Sequence, residues 1–390
     1  MTLIAHMADL HLGYRQYGII EREDDLYCAF EEAVDRIIAE HAKIVLISGD
    51  FFNLPRPPIR ALYHVKLNLE KLKSKGIKII CVLGDHDLPR RIGEYSPIVL
   101  FKDDHFYHVN EKILNLEIDG QHISISGIDR TPPIASEEAR TVLKRLSNDI
   151  QSREGKGKCI FVSHLPLTSI SGELCVDDLP ENYDYYALGH EHIRRVMRKG
   201  KGIVAYPGSI DILAMDEIQG WKTEGKGFYL ADLSGSEPII HKVNLEALRP
   251  QEIFEISFKE SLEKVFRWIA DQPKKPIIHL IIKDREFDLR TIHELVDKLR
   301  LRGCLDVRYR RKTSEVVPIS RPLMQLEISR LNIEELIREI ASEVGLSKDD
   351  MELALQVYNE FRRGGEETLT ELLCKKFSET EVMQIDNQGA

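Results

Sequence analysis

The sequence predicts an α/β fold: a layered sandwich domain, then a smaller α/β unit, then a helical C-terminal region. Three observations predict it. Through the first 235 residues short apolar runs alternate with amphipathic stretches, the pattern of strands separated by helices. A strand–helix–strand–helix–strand order recurs on a smaller scale at 250–312. Beyond residue 331 apolar residues return only at helical spacing,.

In chain order, the apolar runs place strands at Leu3–Met7, Ile44–Ser48, Ile77–Leu83, Ile123–Ile128, Cys159–His164, Tyr185–Leu188, Ile203–Tyr206 and Gly227–Leu233. Helical patterns fall near 23–41, 58–75 and 136–152. This defines a first domain over 1–245. The second domain, 250–312, reads Ile253–Phe258, a helix from Ser261 to Ala270, Ile277–Ile282, a helix from Leu289 to Leu301, and Leu305–Tyr309. Segment 313–330 lacks periodicity and holds Pro318 and Pro322, which marks a linker,. In 331–378, Leu336, Ile337 and Ile340 lie on one helical stripe. Ser347, Asp349 and Asp350 suit the start of a second helix carrying Leu353, Val357 and Phe361,. Gly364-Gly365 ends it, and residues 379–390 read as a frayed tail.

The composition fits a globular chain. Its 390 residues are 43% hydrophobic and 30% charged, enough for a sizeable core and two or three domains. No basic region followed by an apolar run opens the sequence, so no signal peptide is expected,. No apolar stretch approaches the roughly 20 residues of a membrane span. Six cysteines are scattered without a Cys-x-x-Cys pair, which predicts reduced thiols in a cytoplasmic protein and no structural zinc site. The net charge of −10 looks unsuited to nucleic acid, but residues 331–390 hold 6 Lys and Arg against 14 Asp and Glu. The body is thus nearly neutral, and it carries basic clusters at Arg194, Arg195, Arg198, Lys199 and Lys201 and at Arg308, Arg310, Arg311 and Lys312. Such clusters can neutralise phosphates, although each alone is as readily a solvated face.

Five segments hold the chemistry: Asp9-Leu10-His11, Gly49-Asp50, Gly84-Asp85-His86-Asp87, His164, and Gly189-His190-Glu191-His192. Each follows or ends a predicted strand, where open α/β sheets place ligands. Carboxylates and imidazoles hold hard or borderline divalent ions. In an extended segment, residues i and i+2 point to one side, so Asp9 with His11, and His190 with His192, can each converge. An aspartate such as Asp50 can bridge two ions roughly 3.5–4 Å apart. One segment alone is weak evidence; their order and placement together are specific.

The ordered set resembles the signature of calcineurin-like metallophosphoesterases, which implies a four-layer sandwich. Longer stretches, among them Asp9–Tyr17, Gly49–Pro58, Leu88–Pro97, Tyr185–His190, Tyr206–Ser209 and Gly225–Tyr229, resemble the archaeal meiotic-recombination-eleven nuclease family. The resemblance implies a manganese-dependent DNA exonuclease and endonuclease in double-strand-break repair. It implies two Mn²⁺ per subunit, one on Asp9, His11, Asp50 and His192, the other on Asp50, Asp85, His164 and His190. His86 would orient the scissile phosphate and act on the leaving oxygen rather than bind metal. Where the family usually has Asn, this chain has Asp85, a third carboxylate that predicts tighter metal binding and a weaker Lewis acid. Asn53 stands where some relatives carry a His.

The same resemblance implies partners: DNA, a second copy of the chain, and an SMC-like coiled-coil ATPase of the Rad-fifty type. Arg15, Arg90, Arg91, Arg194 and Arg195 are candidate DNA contacts, with 250–312 as a DNA-binding cap. Leu62, Val65, Ile98 and Phe101 are candidate dimer contacts. The acidic helices with Leu336, Ile337, Ile340, Leu353, Val357 and Phe361 are candidate ATPase contacts, because an acidic tail repels phosphates and suits helix docking. Two rival readings remain: a small-substrate phosphatase or phosphodiesterase of the same fold, disfavoured by the cap and the tail, and a weakened scaffold, for which Asp85 leaves room.

Overall fold

Strands that are apolar at every position need cover on both faces, and that requirement sets the architecture. The computed structural model describes residues 2–311 except 90, 92, 132–135, 152–156, 168–173, 258–261 and 284–288, together with 338 and 348–362. The chain divides into one compact unit over Met1–Lys312 and another over Thr313–Ala390.

Strands β1 (Leu3–Met7), β2 (Ile44–Ser48), β3 (Lys78–Val82) and β4 (Phe106–His108) run parallel. The next six strands form a second sheet: β5 (Lys112–Ile118), β6 (Gln121–Ile128), β7 (Lys158–His164), β8 (Tyr185–Gly189), β9 (Arg195–Lys199) and β10 (Gly202–Tyr206). The chain then returns to the first sheet through β11 (Gly227–Asp232) and β12 (Ile239–Asn244), giving the order β12-β11-β1-β2-β3-β4. The two sheets face each other. Ile4, Ile44, Leu46, Ile80 and Val82 from one meet Ile125, Ile160, Val162 and Ala187 from the other.

Alternation along the strands supplies the outer layers. Ala5, Val45, Ile47 and Ile79 point away from the second sheet, into a core with Phe30, Val34 and Ile37 of helix α1 (Ile20–Ala39) and Leu69 and Leu72 of α2 (Ile59–Ser74). On the far side Phe161 and Leu188 pack with Leu143, Leu146 and Ile150 of α3 (Ser136–Gln151). The result is the expected four-layer sandwich. The sequence reading has no counterpart for β4, β5, β9 and β12. All four are edge strands: exposed and charged side chains break the apolar run in β5, β9 and β12, and β4 is only three residues long,.

After the short helix α4 (Glu217–Glu224) and the return strands, a parallel three-stranded sheet forms from β13 (Gln251–Ile256), β14 (Ile277–Ile282) and β15 (Asp306–Arg311), with α5 (Glu263–Ala270) and α6 (Leu289–Leu301). Within the same compact unit it docks on the sandwich through polar contacts. Arg249 makes two bonds to Asp25 (2.6 and 2.9 Å), and the Arg308 guanidinium lies 4.2 Å from the Tyr17 ring centroid. In the C-terminal unit, α7 (Lys348–Arg362) is amphipathic, with Leu355 buried and Leu353 and Val357 half-buried. No helix among the described residues is long and apolar enough to cross a membrane.

Candidate metal centre

Five parallel strands end at one rim of the sandwich, and the chemistry-bearing residues follow them: Asp9 and His11 after β1, Asp50 after β2, Asp85 and His86 after β3, His164 closing β7, and His190 and His192 after β8. All seven candidate ligands come together in one pocket, as overlapping groups whose ligand atoms lie within 4.8 Å of one another. One group holds Asp9, His11 and His192, another Asp85, His164 and His190. Asp50 lies between them, its Oδ2 3.5 Å from His11 Nε2 and 3.4 Å from His164 Nε2. His11 Nε2 and His192 Nε2 are 3.3 Å apart, and His190 Nδ1 is 3.2 Å from Asp85 Oδ2.

The convergence is not the strand alternation expected for Asp9 and His11. Asp9, His11, Asp50 and His190 have φ of 52°, 44°, 49° and 94°, a left-handed backbone that costs non-glycine residues roughly 1–3 kcal/mol each. Tight turns, not extended segments, aim these side chains. The turns interlock through Asp9 N–H to the Gly49 carbonyl (3.2 Å), His11 N–H to the Asp50 carbonyl (3.0 Å) and His190 N–H to both Asp9 carboxylate oxygens (3.1 Å each). Gly49 has a φ of +82°, and a Cβ there would lie 2.4 Å from His164 Nδ1. A Cβ on Gly189 would lie 1.9 Å from the Ser48 carbonyl oxygen. Side chains at either position would push the ligand loops apart.

The residues fit divalent cations on a specific observation. His164 Nδ1 donates to the Ser48 carbonyl at 2.8 Å, which fixes its proton there,. Its Nε2 is buried without a hydrogen-bond partner and faces the carboxylates of Asp50 and Asp85. An imidazole nitrogen aimed at two carboxylates calls for a positive charge between them, a proton in the metal-free chain or a metal ion in its place. Burial lowers the His164 pKa, but Asp50 and Asp9 outweigh it and lift it to about 9. Burial keeps His11 neutral instead, at about 3, in a ligand-ready form. Burial opposes ionisation of Asp50, and the neighbouring imidazoles of His164 and His11 overcome it, holding the carboxyl below its usual range. The donors are oxygen and imidazole nitrogen without sulfur, and Asp50 is positioned to serve two ions.

Four supporting residues had no role in the sequence reading. Glu217, in the first turn of α4, accepts from His192 Nδ1 at 2.8 Å, leaving Nε2 as the free ligand atom,. The same carboxylate pairs with the buried ammonium of Lys226, which also bonds the His192 carbonyl. Asp87 is fully buried and accepts from the amides of Phe51 (3.0 Å), Phe52 (2.9 Å) and Gly84 (3.1 Å), joining two ligand loops. Burial and the nearby Asp50 push its carboxyl up to about 7. Arg130 pairs with Asp85 at 2.8 Å. Asp87 and Lys226 lie inside motifs named above and were the legible ones. Glu217 and Arg130 lie outside them.

His86 stands at the open edge. Its Nδ1 donates to the Asn53 carbonyl at 2.8 Å, and its ring lies 4.7 Å from that of His11. Among the candidate DNA contacts, Arg15, Arg91 and Arg195 are exposed, with Arg15 paired to Glu23; Arg90 lies outside the described residues. Arg194 is corrected: it is buried, and its guanidinium bonds the carbonyls of Glu224 and Val243 and the Asn244 side chain, so it holds the fold and cannot reach a phosphate. Val65 and Ile98 are corrected too. Both are buried in the core under α2, because they fall on the inward face of the stripe, whereas Leu62 and Phe101 are only partly buried. Arg308, from the second basic cluster, points into the seam with Tyr17. Leu336, Ile337 and Ile340 lie outside the described residues, as does the side chain of Phe361 on α7.

A calcineurin-like phosphoesterase family profile matches residues 2–194. The chain is 33% identical over 358 residues to the DNA double-strand break repair protein Mre11 of Methanocaldococcus jannaschii, covering 91% of this chain and 93% of that protein. It is 34% identical to the protein of that name from Sulfurisphaera tokodaii, covering 73% and 74%, and 27% identical to that of Sulfolobus acidocaldarius, covering 97% and 99%. With a five-strand rim that gathers carboxylates and imidazoles, the chain belongs to the Mre11 family of DNA double-strand break repair proteins and is a metal-dependent phosphodiester hydrolase.

Proposed function

We propose that this chain is a manganese-dependent nuclease that trims DNA ends in double-strand-break repair, as a 3′–5′ exonuclease on duplex and an endonuclease on single strands. One Mn²⁺ is held by Asp9, His11, Asp50 and His192, and the other by Asp50, Asp85, His164 and His190. The observation that carries the reading is the buried, unpartnered Nε2 of His164 among carboxylates, with His86 at the solvent edge of the same pocket. Bound there, two divalent ions supply the Lewis acidity for in-line attack of water on a phosphodiester. The chain's own part is positional. Asp50 spans both ligand groups, Glu217 fixes the His192 tautomer, and His86 orients the phosphate and protonates the leaving oxygen.

Arg15, Arg91 and Arg195 contact the DNA backbone, and the three-stranded cap shapes the duplex beside the rim. The exposed apolar face of Ile59, Leu62, Tyr63, Leu100 and Phe101 pairs with a second copy of the chain,. The C-terminal helices, with Leu353 and Val357 on α7, dock on a coiled-coil ATPase of the Rad-fifty type. The protein works in the cytoplasm, at the nucleoid.

The test is cleavage of end-labelled duplex DNA with Mn²⁺, comparing the wild type with His86→Ser, beside a mononucleotide phosphodiester control. The variant is expected to lose roughly 10²–10⁴-fold in turnover while binding Mn²⁺ as the wild type does. Equal cleavage by both, or a preference for the small phosphodiester, overturns the reading.

A further inference from the structure

Among the three carboxylates of the pocket, Asp85 is distinguished by a guanidinium. Arg130 Nε donates to Asp85 Oδ1 at 2.9 Å and to Oδ2 at 2.8 Å. The arginine is built into place. Its own N–H donates to the Leu83 carbonyl at 2.8 Å, and the Leu83 N–H donates to Asp129 Oδ1 at 2.8 Å. Residues 129 and 130 therefore grip Leu83 on both sides, two positions before Asp85. Asp129 is itself held by His108 at 2.8 and 2.9 Å, and its N–H by the Asn110 side chain at 3.1 Å. A second guanidinium nitrogen of Arg130 bonds the Thr131 carbonyl, and the side chain is only 11% exposed. This is a fixed cation, not a solvated surface arginine.

Its position has a charge consequence. Asp9, Asp50 and Asp85 bring three negative charges to a site for two divalent ions. Arg130 cancels one of them, so the net charge felt by the ions equals that of a site with a neutral amide at 85. The same contact orients Asp85, whose Oδ2 lies 3.2 Å from His190 Nδ1 and 3.6 Å from His164 Nε2.

We propose that Arg130 is a positioning residue of the metal centre, matched to Asp85: it offsets the third carboxylate and sets how tightly the ion on Asp85, His164 and His190 is held. The proposal rests on the two-ion reading above. It separates this chain from one with an uncompensated aspartate: the third carboxylate does not by itself mean tighter metal binding, because its charge already has a partner.

The experiment is calorimetric titration of Mn²⁺ into the metal-stripped full chain, for the wild type, Arg130→Gln, Arg130→Lys, Asp85→Asn and the Asp85→Asn/Arg130→Gln double variant. Removing one unit charge beside the site is expected to tighten the weaker Mn²⁺ step by about tenfold or more in Arg130→Gln. Arg130→Lys keeps the charge and is expected to stay within about threefold of the wild type. With Asn at 85 the guanidinium keeps the Thr131 carbonyl but loses its charged partner and is held less firmly beside the ions, so Arg130→Gln is expected to change affinity less in that background than beside Asp85,. Melting curves of the metal-free proteins establish that each variant folds. Arg130→Met, which keeps the aliphatic stem, replaces Arg130→Gln if that variant melts below the assay temperature. Unchanged or weaker binding on losing the Arg130 charge, or an equal change in both backgrounds, overturns the pairing while leaving the metal site standing. A wild type that takes up no Mn²⁺ fails the functional reading instead.

Discussion

Replacing Glu217 by Gln tests how far the centre depends on groups that never touch substrate. The carboxylate has four donors around it: His192 Nδ1 at 2.8 Å, Ser209 Oγ at 3.1 Å, the Leu213 amide at 3.2 Å, and the Lys226 ammonium. Glutamine is isosteric but offers one oxygen and one NH₂. Turned to accept from His192, it points its NH₂ at Lys226; turned the other way, it points it at His192. Either orientation takes from the buried Lys226 ammonium the counter-charge it is bonded to. Removing one partner of a buried pair costs roughly 3–5 kcal/mol. The ceiling is set by lysine itself, which sheds its proton at pH 7 for about 4–5 kcal/mol. Burial already lowers the Lys226 pKa, with Glu217 opposing that shift. The expected loss is thus about 3–5 kcal/mol, read from urea unfolding of the metal-free chain at pH 7. Mn²⁺ affinity is expected to fall about 10–100-fold as His192 loses its fixed orientation. Adding Lys226→Met should restore at least half of the lost stability without restoring affinity, because the charge imbalance is gone but His192 is still loosely held. A Glu217→Gln variant within about 1 kcal/mol of the wild type, with affinity changed less than threefold, refutes the reasoning.

Asp87→Asn leaves one oxygen for the amides of Phe51, Phe52 and Gly84; a loss of about 2 kcal/mol in urea unfolding is expected, with weaker Mn²⁺ binding in the same titration. Gly189→Ala drives a Cβ to within 1.9 Å of the Ser48 carbonyl oxygen, so the loop carrying His190 must shift. A cost of about 1–3 kcal/mol and measurably weaker Mn²⁺ binding are expected from melting and calorimetry. His6 is buried between Tyr185 Oη (2.8 Å) and Ser48 Oγ (2.9 Å), and burial lowers its pKa from 6.5 to about 3. The unfolded chain then binds the proton more readily, so His6 costs stability as pH falls from about 6.5 towards 3, by up to ~1.4 kcal/mol per pH unit. His6→Gln should flatten the stability-against-pH slope between pH 6.5 and 5 by about one proton's worth, and an unchanged slope counts against a neutral buried imidazole.

The sequence by itself determined the sandwich and its rim. Buried parallel strands are legible because both faces must be apolar, as Ile44–Ser48 and Tyr185–Gly189 are at almost every position. Ligand segments are legible because they follow those strands directly. Edge strands such as Lys112–Ile118 and Arg195–Lys199 were not, since solvent on a face or edge permits charges that mask the pattern. Helical periodicity gave a stripe under α2 but not its partner; only packing separates the buried Val65 from the half-buried Leu62. A cluster of arginines carried charge but no direction, and the fold turned Arg194 inward onto backbone carbonyls. Tertiary structure alone decided the compensations: Glu217 beneath His192, Lys226 beneath Glu217, Arg130 against Asp85. The physical reason is range. Strand and turn formation are governed by neighbours a few residues away, whereas a buried charge is neutralised by whatever the folded chain brings within about 3 Å, from 9 to 45 positions distant in these pairs.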